Sequence, residues 1–365
     1  MRVPAGYPRI AGAAILALCL GLLGCGGSQD NGNSAAAIVV AGTATPRTAG
    51  ETLWLQFASQ LETQANEHEP IALRLLIHGQ LGSEEQLLSG LRRGRVQIAN
   101  LSALMLSTVV PEMVLLQAPY LFGCEAEADL VFDDLLTPYF RERLREENLV
   151  LLEWLEIGFH HVYGRFPVHT PAAVAGTRYR VSSSIGSQLF ARALGADVIP
   201  LGFADIVPSL QTGLIETGEN STSLFVRTGI AGEAPHFTLT AHAFGASAVL
   251  ASRAWWDGLP DRQRERLATA FPGIEESRRA IRAEARSDLA ESEPRGIVVH
   301  HPDAVERAAW EAAGAQAYAQ LIARLDDRGR SLHEQIVALK ADFATAGGCA
   351  SATASVTAHA RMGDP

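Results

Sequence analysis

Between residues 37 and 101 short apolar runs alternate with amphipathic stretches, and this order constrains the fold more than any other feature. Runs at 37–41, 71–77 and 96–101 predict strands. Between them, 49–65 carries Leu53, Leu55, Phe57 and Leu61 at helical spacing, and 84–93 predicts a second helix. Strands and helices alternating in this way form βαβ units, with parallel strands and helices on both faces. Further strands are expected at 149–157 and 248–252, and long amphipathic helices over 261–293 and 303–343. Residues 346–365, rich in Ala, Gly, Ser and Thr, show no periodicity and predict a disordered tail.

The N-terminus bears on location. Arg2 and Arg9 precede an uncharged apolar run, Ile10 to Leu23, which ends in Leu22-Leu23-Gly24-Cys25. Such a run is too short to span a bilayer, which takes about 20 residues, and it suits the core of a signal peptide. A small residue before a cysteine is the lipoprotein-processing pattern. The expectation is a signal peptide over 1–24, lipidation of Cys25 and a flexible tether over 25–37. In a Gram-negative cell, Gly26 after the cysteine favours outer-membrane sorting over the inner membrane.

A net charge of −10 argues against binding nucleic acid or an anionic membrane through a basic surface. Lys340 is the single lysine among 30 Lys and Arg residues, so arginine is common here and any one Arg must be defended by its neighbourhood. With Cys19 in the signal core and Cys25 lipidated, Cys124 and Cys349 remain, either bridged or as two thiols. No CxxC or His/Cys cluster offers metal ligands. His160-His161 and His300-His301 are adjacent pairs whose members point to opposite faces of a strand. Neither a metal nor a cofactor is expected.

Residues 171–220 carry the functional signal. A short strand ends in Tyr179-Arg180-Val181, a Ser-rich turn (182–184) opens a helix, and a second strand leads to Phe203 and another helix. The segment closes on Gly218-Glu219-Asn220. That order puts a guanidinium, an aromatic ring and an amide near strand ends, where open α/β sheets bind ligands.

The same stretch resembles, nearly segment for segment, the substrate-binding proteins of TRAP transporters (tripartite ATP-independent periplasmic), the DctP-type family. Supporting segments occur in order: His78 to Glu84, Pro111-Glu112 with Pro119-Tyr120-Leu121-Phe122, and Trp255-Trp256-Asp257-Gly258-Leu259-Pro260. The resemblance covers residues 38–345. It implies a two-lobed, hinge-linked α/β periplasmic binding fold with mixed sheets, helices on both faces and ligand in the cleft between lobes. One lobe would hold 38–157 and 246–284, the other 158–245 and 285–345.

By that resemblance Arg180 is the carboxylate clamp, for a guanidinium matches a carboxylate with two parallel hydrogen bonds. Asn220 would fix the second oxygen or a hydroxyl, and Phe203 would pack on the ligand body. Glu219 reads as structural, paired with an arginine. His160 stands where the family commonly has a second arginine, and Ser102 begins a run, Ser102 to Met105, that replaces polar positions of sugar-acid-binding relatives. With an ordinary histidine pKa of about 6.5, His160 should tighten carboxylate binding as pH falls. The pocket therefore reads as less charged than in relatives, favouring a monocarboxylate, a keto acid or a larger apolar acid.

Three functions follow from these residues. The chain could capture an organic acid for a TRAP membrane permease. It could instead be a DctP-like lipoprotein that carries a hydrophobic ligand with a TPR-repeat outer-membrane partner. A secreted enzyme is the third, and the absence of GxSxG, HExxH and P-loop patterns argues against it. The first is the expectation, with periplasmic localisation.

Overall fold

A computed structural model describes residues 37–64 and 70–350; the signal segment, Cys25, the tether up to residue 36 and the tail beyond 350 lie outside the described residues. In chain order the first elements are β1 (Ile38–Ala41), α1 (Ala49–Thr63), β2 (Leu73–Leu76), α2 (Glu84–Arg92), β3 (Ile98–Ser102), α3 (Ala103–Leu106), α4 (Glu125–Val131), α5 (Thr137–Glu146) and β4 (Leu149–Gly164). Next come β5 (Arg178–Val181), α6 (Ile185–Ala193), β6 (Asp197–Pro200), α7 (Ile206–Gln211), β7 (Thr217–Ser221), α8 (Thr222–Arg227), α9 (Ile230–Glu233) and β8 (His236–Ser252). The chain closes with α10 (Arg253–Asp257), α11 (Asp261–Ala268), α12 (Ile274–Ala290), β9 (Val298–His300), α13 (Ala304–Ile322) and α14 (Asp327–Thr345).

The expected βαβ start is present, with β1 parallel to both β2 and β3. A single mixed sheet runs β2-β1-β3-β8-β4-β7-β5-β6, and β9 pairs with β8. Two strands are far longer than the sequence pattern predicts. β4 has 16 residues and β8 has 17, and they run antiparallel beside each other throughout. One half of β8 pairs with β3, and the far end pairs with β9. β4 and β8 thus form the centre of the sheet and join its β1–β3 side to its β5–β7 side.

Alternation sorts the side chains. Along β8, Ala248 and Leu250 enter one large core while Val249 and Ala251 enter another. The large core covers one face of the sheet along its length. Against the other face lie two separate cores, one around Trp54, Phe57 and Phe271, the other around Tyr163, Phe225 and Phe237.

Helix details differ from expectation for local reasons. On α1 the buried stripe is Leu53, Trp54, Phe57 and Leu61, and Leu55 is exposed. At 100° per residue Leu55 falls opposite that stripe. The segment 261–293 is broken between α11 and α12 by Pro272 and Gly273, whose φ of 93° no ordinary helical residue adopts. α14 begins afresh because Asp326 caps it, accepting from Gly329 N at 2.8 Å. Residues 346–350 are not tail: Cys349 is bonded to Cys124, with Cα atoms 5.8 Å apart.

Candidate functional site

Arg180 and Asn220 are the penultimate residues of β5 and β7, and Ser102 is the last residue of β3. Three of the five candidate binding residues therefore stand at C-terminal strand ends. Register separates them further. Arg180 pairs with Gly218, and Gly218 pairs with Tyr163, so these residues and Asn220 share one face. Glu219 and His160 (through Ser221) share the other.

On the first face Arg180 is buried and donates from Nη2 to the Leu201 carbonyl at 2.9 Å. Its Nε has no protein partner. Asn220 is likewise buried; its Oδ1 accepts from Ser221 N at 2.9 Å and its Nδ2 is unpartnered. Gly218 makes room here, because a Cβ would meet the Tyr163 hydroxyl at 2.3 Å. Burial pushes the Arg180 guanidinium below its usual pKa, against the pull of Tyr163 and Glu219. Phe203, by contrast, is 44% exposed in a single 3-10 turn, so the structure does not place it against a ligand body.

On the second face a cavity of about 140 Å³ opens between the start of α6, the end of β3 and the middles of β4 and β8. His160 and Ser102 line it; Arg180, Asn220 and Phe203 do not. Its polar centre is Glu219, buried and accepting from His242 Nε2 at 2.7 Å and from the Ser187 hydroxyl. His242 is fixed from behind by Thr240, 2.8 Å from Nδ1, and stacks on Phe190 with centroids 4.1 Å apart. Burial opposes ionisation of Glu219, but the His242 hydrogen bond and charge, the charge of His160 and the Ser187 hydroxyl outweigh it and hold the carboxyl at about 2. Glu219 thus pairs with a histidine, not with an arginine as the sequence suggested.

His160 behaves differently from its expectation. Burial pushes its pKa down to about 4, against the attraction of Glu219 and with help from His242 and Arg180. The ring is neutral over the whole range in which it was expected to titrate. Its Nε2 is buried without a protein partner, as is Nε2 of the cavity-lining Gln117. Gln117 accepts through Oε1 from the Ser184 hydroxyl, which also caps α6 by accepting from Gly186 N at 3.1 Å and Ser187 N at 3.3 Å. Ser102 lines the cavity with its hydroxyl already committed, donating to Glu84 Oε2 at 2.7 Å and accepting from Met105 N at 3.1 Å.

Sequence reasoning missed Gln117, Ser187 and His242. Gln117 and Ser187 carry no local pattern. His242 had one: Thr238, Thr240 and His242 are buried polar residues at period two in an otherwise apolar strand. The apolar walls are Leu104, Leu116, Phe190 and Phe244.

Residues 43–325 match the family described as bacterial extracellular solute-binding protein, family 7. A solute-binding protein of Chromohalobacter salexigens is 25% identical over 202 residues, 55% of this chain and 60% of that protein's length. The C4-dicarboxylate-binding periplasmic protein DctP of Rhodobacter capsulatus is 26% identical over 70% of this chain and 78% of its own. Among solved structures, a TRAP periplasmic solute-binding protein from Xanthobacter autotrophicus with bound β-D-galacturonate superposes with a TM-score of 0.74. It is 21% identical, and the match covers 82% of this chain and 99% of that one.

Proposed function

Because this chain belongs to the bacterial extracellular solute-binding protein family 7, the DctP-type proteins of TRAP transporters, we propose that it captures an organic acid in the periplasm and delivers it to a TRAP-type membrane permease. One observation carries the acid. Arg180 Nε and Asn220 Nδ2 are buried donors without protein acceptors, on the same face and at the ends of neighbouring parallel strands. A buried guanidinium N–H left unpaired is costly, and a carboxylate across the C-terminal ends of β5 and β7 would satisfy both donors.

The rest of the ligand would have to pass around the C-terminal ends of β5 and β7 to reach the cavity on the opposite face. There neutral His160 and the Gln117 amide offer hydrogen bonds to a hydroxyl or keto oxygen, and Leu104, Leu116 and Phe244 offer apolar contact. Glu219, ionised and fully occupied by His242 and Ser187, would repel a second carboxylate. The reading is therefore a monocarboxylate with a polar or partly apolar body, unlike the C4-dicarboxylate for which the Rhodobacter relative is named. The apolar walls also suit the alternative, a hydrophobic acid handed to a TPR-repeat partner.

Closure would use the two shared strands. Gly158 (φ 89°) pairs with Gly245 where the β4–β8 register shifts. We place the lobe boundaries there, at 157/158 and 245/246, with a third crossing near residue 284 of α12. Cys25 would tether the protein to the membrane through lipid.

Thermal-shift screening against mono- and dicarboxylates tests the reading. A ligand at about 100 times its Kd stabilises by about 2.7 kcal/mol. A panel in which no carboxylate shifts the melting temperature, or in which neutral esters shift it equally, overturns it.

A further inference from the structure

We propose that His169, His300 and Glu306 form a zinc site where β8, β9 and the first turn of α13 meet, built from residues that take no part in the acid-binding cavity. His300 ends β9, Glu306 lies in the first turn of α13, and His169 follows β4 in the connection to β5. One ligand-capable atom from each lies within 4.8 Å of the other two. His300 Nε2 is 2.7 Å from Glu306 Oε2, and the rings of His169 and His300 stack with centroids 3.9 Å apart.

The three side chains project from anchored backbone. The His169 carbonyl accepts from the buried Trp310 indole at 2.9 Å, and the Val168 carbonyl accepts from the Thr238 hydroxyl at 2.8 Å. Thr238 is itself the ladder partner of His300. Arg307, next to Glu306, donates to the Thr240 and Leu239 carbonyls at 2.6 and 2.9 Å and fixes the start of α13 on β8. Glu306 is held as the third residue of a capping box, accepting from Asp303 N at 3.0 Å. With the backbone held in this way, only side-chain rotation is needed to meet an ion.

The donor set selects the metal. Two imidazoles and one carboxylate suit zinc, with water in the fourth position, whereas calcium and magnesium take oxygen ligands. Seating the ion requires the exposed His169 ring to turn until a nitrogen faces His300 Nε2. The Nε2 proton that His300 donates to Glu306 has to leave before the ion binds, so that the neutral ring carries its proton on Nδ1 and the contact between Nε2 and Glu306 opens into N–Zn–O. The ion would staple the connection after β4 to the β9–α13 junction.

Untagged protein freed of metal by chelator and titrated with zinc chloride in a calorimeter provides the test. The expected result is one zinc per chain, a rise in melting temperature with zinc, and no rise with magnesium. His169→Ala alters an exposed side chain and should still fold; it and His300→Ala should each weaken zinc binding at least about tenfold. His78→Ala should leave it unchanged. Absence of zinc binding by the wild type, or equal binding by the folded His169→Ala/His300→Ala variant, overturns the proposal. The organic-acid reading stands or falls separately, on the thermal-shift panel.

Discussion

At the scale of single residues, Arg180 and His160 make opposite predictions. Removing one partner of a desolvated charge pair costs about 2–5 kcal/mol, so Arg180→Ala should weaken acid binding roughly 30-fold or more. Arg180→Lys should recover only part of this, because an ammonium lacks the two-pronged geometry. Calorimetric titration of the acid found by screening decides it: a folded Arg180→Ala within about threefold of wild type would remove Arg180 from the site. His160, neutral down to about 4, should leave acid affinity flat between about pH 7.5 and 5.5. Its effect belongs to stability instead. A histidine whose folded pKa lies at about 4, below its ordinary 6.5, takes up a proton in the unfolded chain first, so stability falls as pH drops through that window. Glu219, held at about 2 against an ordinary 4.5, adds a second loss below 4.5. Melting temperatures measured from pH 7 to 4 should therefore decline, and His160→Gln should flatten the upper part of the decline; identical profiles for the two proteins would refute the burial argument. The placement of Arg180 and Asn220 near strand ends was legible because local order carried it. The Glu219–His242 pair was not, because its members lie 23 residues apart and meet only through sheet register.

Among the elements, β4 and β8 show where periodicity stops being informative. Only 149–157 and 248–252 read as strands, since Gly158, His160 and His161 break the apolar pattern in one and Thr238, Thr240 and His242 break it in the other. Of these polar residues, His160 and His242 border the cavity, while Thr238 and Thr240 hydrogen-bond within the fold. Gly158 should be intolerant: its φ of 89° suits glycine, and Gly158→Ala should cost on the order of 1–2 kcal/mol. Equal urea midpoints for the two proteins would argue against strain there. Helix α12 adds a third link. Near its middle Arg282 bonds Asp129 and Glu156, the latter buried on β4, whereas Glu284 and Asp288 turn to Arg227 on α8. Arg282→Ala leaves Glu156 as an uncompensated buried carboxylate and should destabilise by about 3–5 kcal/mol, measurable by urea unfolding. Replacing both Arg282 and Glu156 by apolar residues should recover much of that loss.

On the scale of the whole molecule, α/β order and the two-lobed plan followed from alternation and family resemblance, whereas the single continuous sheet did not. Cys124 and Cys349 left bridge and free thiols open in the sequence because 225 residues separate them; the fold brings them together at the start of α4 and just beyond α14. Cys124→Ser/Cys349→Ser should lower stability by about 2–5 kcal/mol, read as a fall in the denaturation midpoint under non-reducing conditions. An unchanged midpoint would mean that the bridge closes a loop already held by packing.

The shared strands also set the order in which the molecule can be made. β3 and β4, the innermost strands of the early chain, both have β8 as their partner, and β8 begins only at His236. A chain crossing a membrane from its N-terminus would therefore expose two unpaired strand edges until more than half of it had emerged, and pairings this distant in sequence are slow to form. Unpaired edges invite association with other chains. Holding the polypeptide unfolded until β8 is available thus favours productive folding, because the centre of the sheet cannot close before then.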